Sequence, residues 1–228
     1  MSVFVLPHAA RLIVCTDAEA LAAAVAQRIA ALVEQTLAIR PVCRIALAGG
    51  DTPRRCYTLL RELPLPWSRL DFYFGDERCL PVGDAERNDT MACASLLPTA
   101  LPARFHPIPA ERGAQAAAAD YAGLLGDVTL DLVLLGMGED GHTASLFPGN
   151  PALQLVAPVV PVFNAPKPPS ERVSLSLATL NAARHKLFLV AGRGKRQALQ
   201  RIARGEHLPA AQVLDAEWYL DHAAMPNE

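Results

Sequence analysis

The chain has 228 residues, 51% of them hydrophobic and 19% charged, with a formal net charge of −2. That length can bury a sizeable core, and the near-neutral balance leaves no electrostatic footprint for nucleic acid or an anionic membrane. No apolar run approaches the roughly 20 residues that span a bilayer, and "MSVFVLPHAARLIV" lacks the charged start of an export signal.

In chain order, short apolar runs alternate with helical patterns, the signature of βαβ units. "RLIVC" reads as a first strand. Asp17 then caps a long helix, "AEALAAAVAQRIAALVEQTLAIR", whose Leu21, Val25, Ile29, Leu32 and Val33 form one apolar face. "VCRIALAGG" is strand then turn, and "TPRRCYTLLREL" a helix with Pro53 where an early turn tolerates it. "LDFYFGDE" follows as a strand, "NDTMACASLL" and "GAQAAAADYAGLLG" as helices, and "LDLVLLGMG" as a central strand apolar on both faces. The proline-rich "NPALQLVAPVVPVFNAPKPPSE" reads as a long loop or flap with a strand inside it. "RVSLSL", the strand "KLFLVAG" and the helix "KRQALQRIARG" complete the pattern, with Trp218 and Tyr219 of "EWYLDHAA" expected to anchor a C-terminal helix. One domain over residues 1–228 is expected: an α/β, Rossmann-like fold with a mainly parallel central sheet flanked by helices. Cys15, Cys43, Cys56, Cys79 and Cys93 are widely spaced and without C-x-x-C, and read as buried free thiols of a cytoplasmic protein.

Four strands end in a glycine turn followed by polar residues: "IALAGGDTP", "FYFGDER", "LLGMGEDGH" and "FLVAGRGK". In a parallel sheet these turns lie along one edge and converge on one crevice. Gly136, Gly138 and Gly141 spell G-x-G-x-x-G, but the region about 20 residues on, "LQLVAPVVPVFN", has no carboxylate for a ribose. "GRGKR" lacks the glycine loop and hydroxyl of a P-loop. Both nucleotide readings fail. What remains suits a small anionic substrate: N–H groups at Gly49, Gly50 and the following helix start, and positive charge from Arg78, Arg172 and Lys195. His142, beside Asp140, supplies an imidazole, the side chain that ordinarily titrates near neutrality.

"LAGGDTPRRCYTLL", "FYFGDERCLPVGDAERNDTMA", "LGMGEDGHTASLFPG", "PPSERVSLSLATLNAARHKLFLVAGRGKRQAL" and "EWYLDHAA" together resemble the 6-phosphogluconolactonase family, in order from Val42 to Ala224. The resemblance implies a cytoplasmic hydrolase of the oxidative pentose phosphate pathway, a fold shared with glucosamine-6-phosphate deaminases, and a phosphosugar lactone as substrate. It implies no metal, no organic cofactor and no obligate protein partner. It casts His142 as the general base activating water, with Asp140 orienting the base or the water. It casts Arg78, Arg172 and Lys195 as substrate-binding cations, and Gly49, Gly50, Asp51 and Thr52 as the phosphate turn. The family turn usually reads S-G-G-S-T-P, so Asp51 puts a carboxylate where a hydroxyl is usual. Either Asp51 points away as a helix cap or a nearby cation neutralises it. Asp140 has a second reading, as the N-cap of a helix "HTASLF". Asp76 and Glu77 stand between site and turn roles. Ser145 lacks the flanks of a nucleophile elbow, and His8, His106, His185, His207 and His222 read as packing or solvated residues. An amino-sugar phosphate deaminase or isomerase, and a non-enzymatic sugar-phosphate sensor, are the rival functions.

Overall fold

The computed structural model describes residues 4–96 and 103–226. Among them ten strands form two sheets. The strands run β1 (Ala9–Cys15), β2 (Cys43–Leu47), β3 (Leu70–Phe74), β4 (Asp76–Arg78), β5 (Arg104–Phe105), β6 (Leu132–Gly136), β7 (Val159–Val162), β8 (Arg172–Leu175), β9 (His185–Val190) and β10 (Ala216–Asp221). The helices are α1 (Ala18–Leu37), α2 (Asp51–Leu60), α3 (Asn88–Leu96), α4 (Ala114–Leu125), α5 (Leu177–Ala182) and α6 (Arg196–Ala203). Leu97, the expected end of α3, lies outside the described residues. No helix among the described residues is long and apolar enough to cross a membrane.

The larger sheet has the order β1-β10-β9-β6-β2-β3-β5 and is parallel throughout. From β2 the chain moves outward through β3 to β5, and then returns to the other side for β6 and β9. The reversal falls between β2 and β6, which is where open parallel sheets form their ligand crevice. Leu132, Val133, Leu134 and Leu135 of β6 are all buried, as a strand covered on both faces requires. The α1 stripe Leu21, Val25, Ile29, Leu32 and Val33 is buried as well, and Asp17 accepts the Ala20 N–H at 2.8 Å. The helix stops at Leu37 rather than Arg40 because Pro41 disfavours helical backbone at the residue before it.

Three elements differ from the sequence expectation. "FYFGDE" is two strands in two sheets, with Gly75 as the joint: its N–H donates to Leu47 of the large sheet at 2.9 Å, and its C=O accepts from Leu175 of the small one at 2.8 Å. The small sheet, β4-β8-β7, is antiparallel and walls one side of the crevice. "EWYLD" is strand β10, not helix; it lies between β1 and β9, and Trp218 stacks on Phe188 with ring centroids 3.9 Å apart. Aromatic residues suit that pleated, covered position. "HTASLF" is a tight turn, with Ala144 at φ 47° and Thr143 bridged to Leu146, so Asp140 caps no helix there.

Candidate active site

The four strand-end turns meet at one pocket of about 410 Å³, on the neighbouring strands β9, β6, β2 and β3. After β2, both the N–H and the C=O of Ala48 are held by the Tyr57 hydroxyl, at 2.9 and 2.8 Å. Gly49 must lack a side chain, since a Cβ would lie 1.8 Å from the Asn88 amide oxygen. Gly50 takes φ 105° and precedes the first residue of α2, so the positive end of that helix borders the pocket.

Asp51 and Thr52 do not line the pocket. The Asp51 carboxylate is 83% exposed and pairs with Arg54 at 2.7 Å. The nearby cation is therefore the feature present, and the paired carboxylate lies outside the pocket lining.

After β3, Asp76 is buried and accepts hydrogen bonds from Ser145 Oγ at 2.6 Å and Asn88 Nδ2 at 3.1 Å. These bonds tie the β3 end to the β6 turn and to the start of α3. Glu77 is fully buried and accepts three backbone N–H groups, from Arg78, Asn88 and Asp89, each within 2.9 Å. Burial pushes its carboxyl up to about 7 against the pull of those donors. It is a bracket beneath the site and does not line it. Arg78 lines the pocket and donates through Nη1 to the Glu86 carbonyl; its Nε is buried without a hydrogen-bond partner among the described residues.

The turn after β6 is wound tightly. Gly138 N–H donates to His142 C=O at 2.8 Å, and Thr143 Oγ1 to Gly136 C=O at 2.9 Å. His142 Nδ1 lies 2.5 Å from Asp140 Oδ1, and the ring leans on Phe147 at 4.4 Å between centroids. Partial burial works against ionisation of Asp140, but the hydrogen bond and charge of His142 outweigh it and lower the carboxyl to about 2. An ionised carboxylate can only accept, so the Nδ1 of a neutral ring carries the hydrogen and Nε2 the lone pair. His142 lines the pocket, while Asp140 stands behind it.

After β9, Gly192 N–H is gripped by the Asp221 carboxylate at 3.0 Å, which fixes the turn that carries Lys195 into the pocket. Burial lowers the Lys195 ammonium, and the charge of Glu139 opposes that shift. Arg172 is only 5% exposed and sits opposite Arg78 in the β4–β8 register.

The pocket thus gathers Gly49, Gly50, Asp76, Arg78, His142, Arg172 and Lys195, as the sequence grouped them. Sequence reasoning missed Tyr57, Asn88, Ser145 and Phe147, whose roles depend on contacts between distant elements. It also missed Lys167, which lines the pocket from the proline-rich segment. A cation beside a stiff Pro-Pro pair in an expected flap was the available signal. Among the described residues no three His, Cys, Asp or Glu side chains converge as a metal site.

Residues 16–220 match the family model described as glucosamine-6-phosphate isomerases/6-phosphogluconolactonase. A 6-phosphogluconolactonase of Streptomyces coelicolor is 36% identical, covering 94% of this chain and 93% of its own length. The human 6-phosphogluconolactonase is 36% identical over 87% of this chain and 89% of its own. The solved 6-phosphogluconolactonase structure from Thermotoga maritima superposes with a TM-score of 0.83 at 27% identity, covering 92% of this chain and 99% of that one. With a converging pocket on the expected sheet edge and these likenesses over nearly all of its length, the chain belongs to the glucosamine-6-phosphate isomerase/6-phosphogluconolactonase family.

Proposed function

We propose that this protein hydrolyses 6-phospho-D-glucono-1,5-lactone to 6-phosphogluconate, with His142 as general base. The observation that carries the reading is the His142–Asp140 pair, 2.5 Å apart, whose imidazole lines a pocket also lined by Arg78, Lys167, Arg172 and Lys195. A phosphorylated lactone brings a dianion for the cations and a carbonyl for the attack. Nε2 takes a proton from water as its oxygen bonds to C1; the carbonyl becomes an oxyanion, which suits the positive charge that Arg78 brings to the pocket wall. Collapse re-forms the carbonyl and breaks the bond from C1 to the ring oxygen, which receives the proton from the imidazolium. Asp140 keeps the ring oriented and stabilises its transient charge, as a carboxylate does for a catalytic histidine generally. A cytoplasmic setting fits the five free thiols, although only Cys15, Cys43 and Cys56 are buried, Cys79 being half-buried and Cys93 exposed.

The test is continuous measurement of 6-phosphogluconolactone loss against an enzyme-free blank. His142→Ala should lower kcat by about 10²- to 10⁴-fold with little change in KM or melting temperature, the range for loss of a general base. A corrected kcat within about threefold of the parent would remove His142 from that role. Ammonia release from glucosamine 6-phosphate, without lactone turnover, would replace the hydrolase reading by the deaminase one.

A further inference from the structure

His142 and Phe147 are five residues apart, a spacing that would set them on different faces of a helix. The turn between them brings them together instead. Thr143 is bridged to Leu146, Ala144 takes φ 47°, and Ser145 is anchored by its hydroxyl to the buried Asp76 at 2.6 Å. The chain reverses there, and the Phe147 ring returns against the imidazole with centroids 4.4 Å apart and planes at 43°. Its backbone is held as well, the C=O accepting from the Asn150 N–H at 3.1 Å. The Arg172 guanidinium lies over the same ring, 5.5 Å from its centroid.

Phe147 is only 2% exposed, although two cavities border it. One is the pocket that His142 lines; the other, of about 460 Å³, is lined by Asp140, Asn150, Asn164 and Arg201. Among the described residues Phe147 alone lines both. The imidazole therefore opens to the first cavity and its carboxylate partner to the second, with this ring as the partition.

Asp140 holds one atom of the imidazole, Nδ1. A single hydrogen bond fixes that atom and leaves the ring free to swing about the bond, because the χ2 torsion of histidine has a broad well. Gly138 limits the swing on the Nδ1–Cε1 edge, where an added Cβ would lie 2.0 and 2.2 Å from those atoms. The Phe147 ring supplies a second surface, and two surfaces with one bond define a plane. That plane sets the direction of Nε2.

We propose that Phe147 is a positioning residue for the reaction: its ring fixes the plane of the His142 imidazole and separates the two cavities, so that Nε2 faces the substrate while Asp140 stays on the far side. The proposal rests on the hydrolase reading above, with His142 as base, and Phe147 itself exchanges no proton.

The experiment is a kinetic cycle on the full chain, with Phe147→Leu removing the flat ring and Phe147→Tyr retaining it. In blank-corrected assays of 6-phosphogluconolactone loss, Phe147→Leu should lower kcat about 10- to 10²-fold with KM within about threefold, the signature of a misplaced base. Phe147→Tyr should stay within about threefold of the parent in kcat. In the His142→Ala background no imidazole remains to be aimed, so adding Phe147→Leu should lower kcat there by no more than about twofold. If it costs as much in that background as in the parent, Phe147 acts on the substrate or on the fold and the proposal is wrong. A loss carried by KM with kcat unchanged overturns it too. Should Phe147→Leu melt below the assay temperature, Phe147→Met takes its place. A crystal structure of the leucine variant reads the ring directly and does not depend on turnover: the imidazole should show a changed χ2 or two orientations, and a single ring superimposable on the parent's overturns the proposal. A parent that hydrolyses no lactone overturns the hydrolase reading instead, and the crystal structure still decides whether Phe147 sets the ring.

Discussion

Replacing Gly138 by alanine tests the proposed catalytic pair without substituting either member. A Cβ at Gly138 would lie 2.0 Å from His142 Nδ1 and 2.5 Å from Asp140 Oδ1, where real Cβ contacts do not come below 3.0 Å. Gly138 is outside the left-handed region, so alanine suits its backbone and the conflict falls on the side chains. The imidazole must therefore retreat by about 1 Å, and a misplacement of about that size costs on the order of 10²-fold in rate, or about 2.7 kcal/mol of activation free energy. Gly138→Ala should accordingly show kcat reduced about 10²-fold, KM nearly unchanged and a cooperative melt. The assay is the blank-corrected rate of 6-phosphogluconolactone loss across a substrate series, with thermal melting in parallel. Gly123→Ala is the control: a Cβ on that face of α4 meets nothing within 4 Å, and it should stabilise the helix by about 0.5–1 kcal/mol at parental kcat. A folded Gly138→Ala with kcat within about threefold of the parent would refute the reasoning, because His142 would then not act from the position in which Asp140 holds it.

Asp51→Ser should leave KM within about twofold and the melting temperature within about 2 °C, since an exposed pair with Arg54 contributes at most about 1 kcal/mol. A tenfold fall in KM would show instead that this carboxylate repels the substrate. Ser145→Ala removes a buried donor to an anionic acceptor, a loss of about 1.5–3 kcal/mol, so calorimetry should find a melting temperature lower by about 3–12 °C; no change would mean that Asp76 is satisfied without it. Asp140 is lowered in the fold to about 2 from an ordinary 3.8, so it adds stability that is present above about pH 4 and is lost as pH falls through about 2. Denaturant midpoints of Asp140→Asn should therefore decline less than the parent's between about pH 5 and about pH 2.5, and superimposable declines would argue that the ring bond is absent in solution.

The central layer was legible in the sequence because local pattern and tertiary role agree there. β6 is apolar at every position, α1 carries a five-residue stripe, and each strand of the crevice ends in glycine. The small antiparallel sheet was not legible: β4 has three residues, and only pairing with β8 distinguishes it from the tail of β3. β10 was mistaken because its six residues lie in a short segment whose strand character comes from two flanking neighbours. In the site, residues on the strand-end turns could be grouped from topology alone. Tyr57, Asn88 and Ser145 could not, because each acts on a residue remote in sequence or across an element boundary. Arg172 was grouped correctly in space, yet its Nε and Nη2 also hold the carbonyls of residues 167–169, which a residue type cannot disclose.

The neighbour relation of β1 and β10 carries a consequence for how the chain is assembled. Among the described residues β1 sits at the sheet edge and its only strand partner there is β10, with Ala9 opposite Ala216. During synthesis at about 5–20 residues per second, β1 therefore waits roughly 10 to 40 s for its partner to emerge. α1, which packs most extensively on α2 and also touches β2, has early partners and need not wait with it. The strands of the crevice, β2, β3, β6 and β9, are all complete before β10 emerges, so they can pair while β1 is still without its neighbour. A ribosome that stalls before residue 216 thus withholds β10 and leaves β1, already made, without the strand it pairs with.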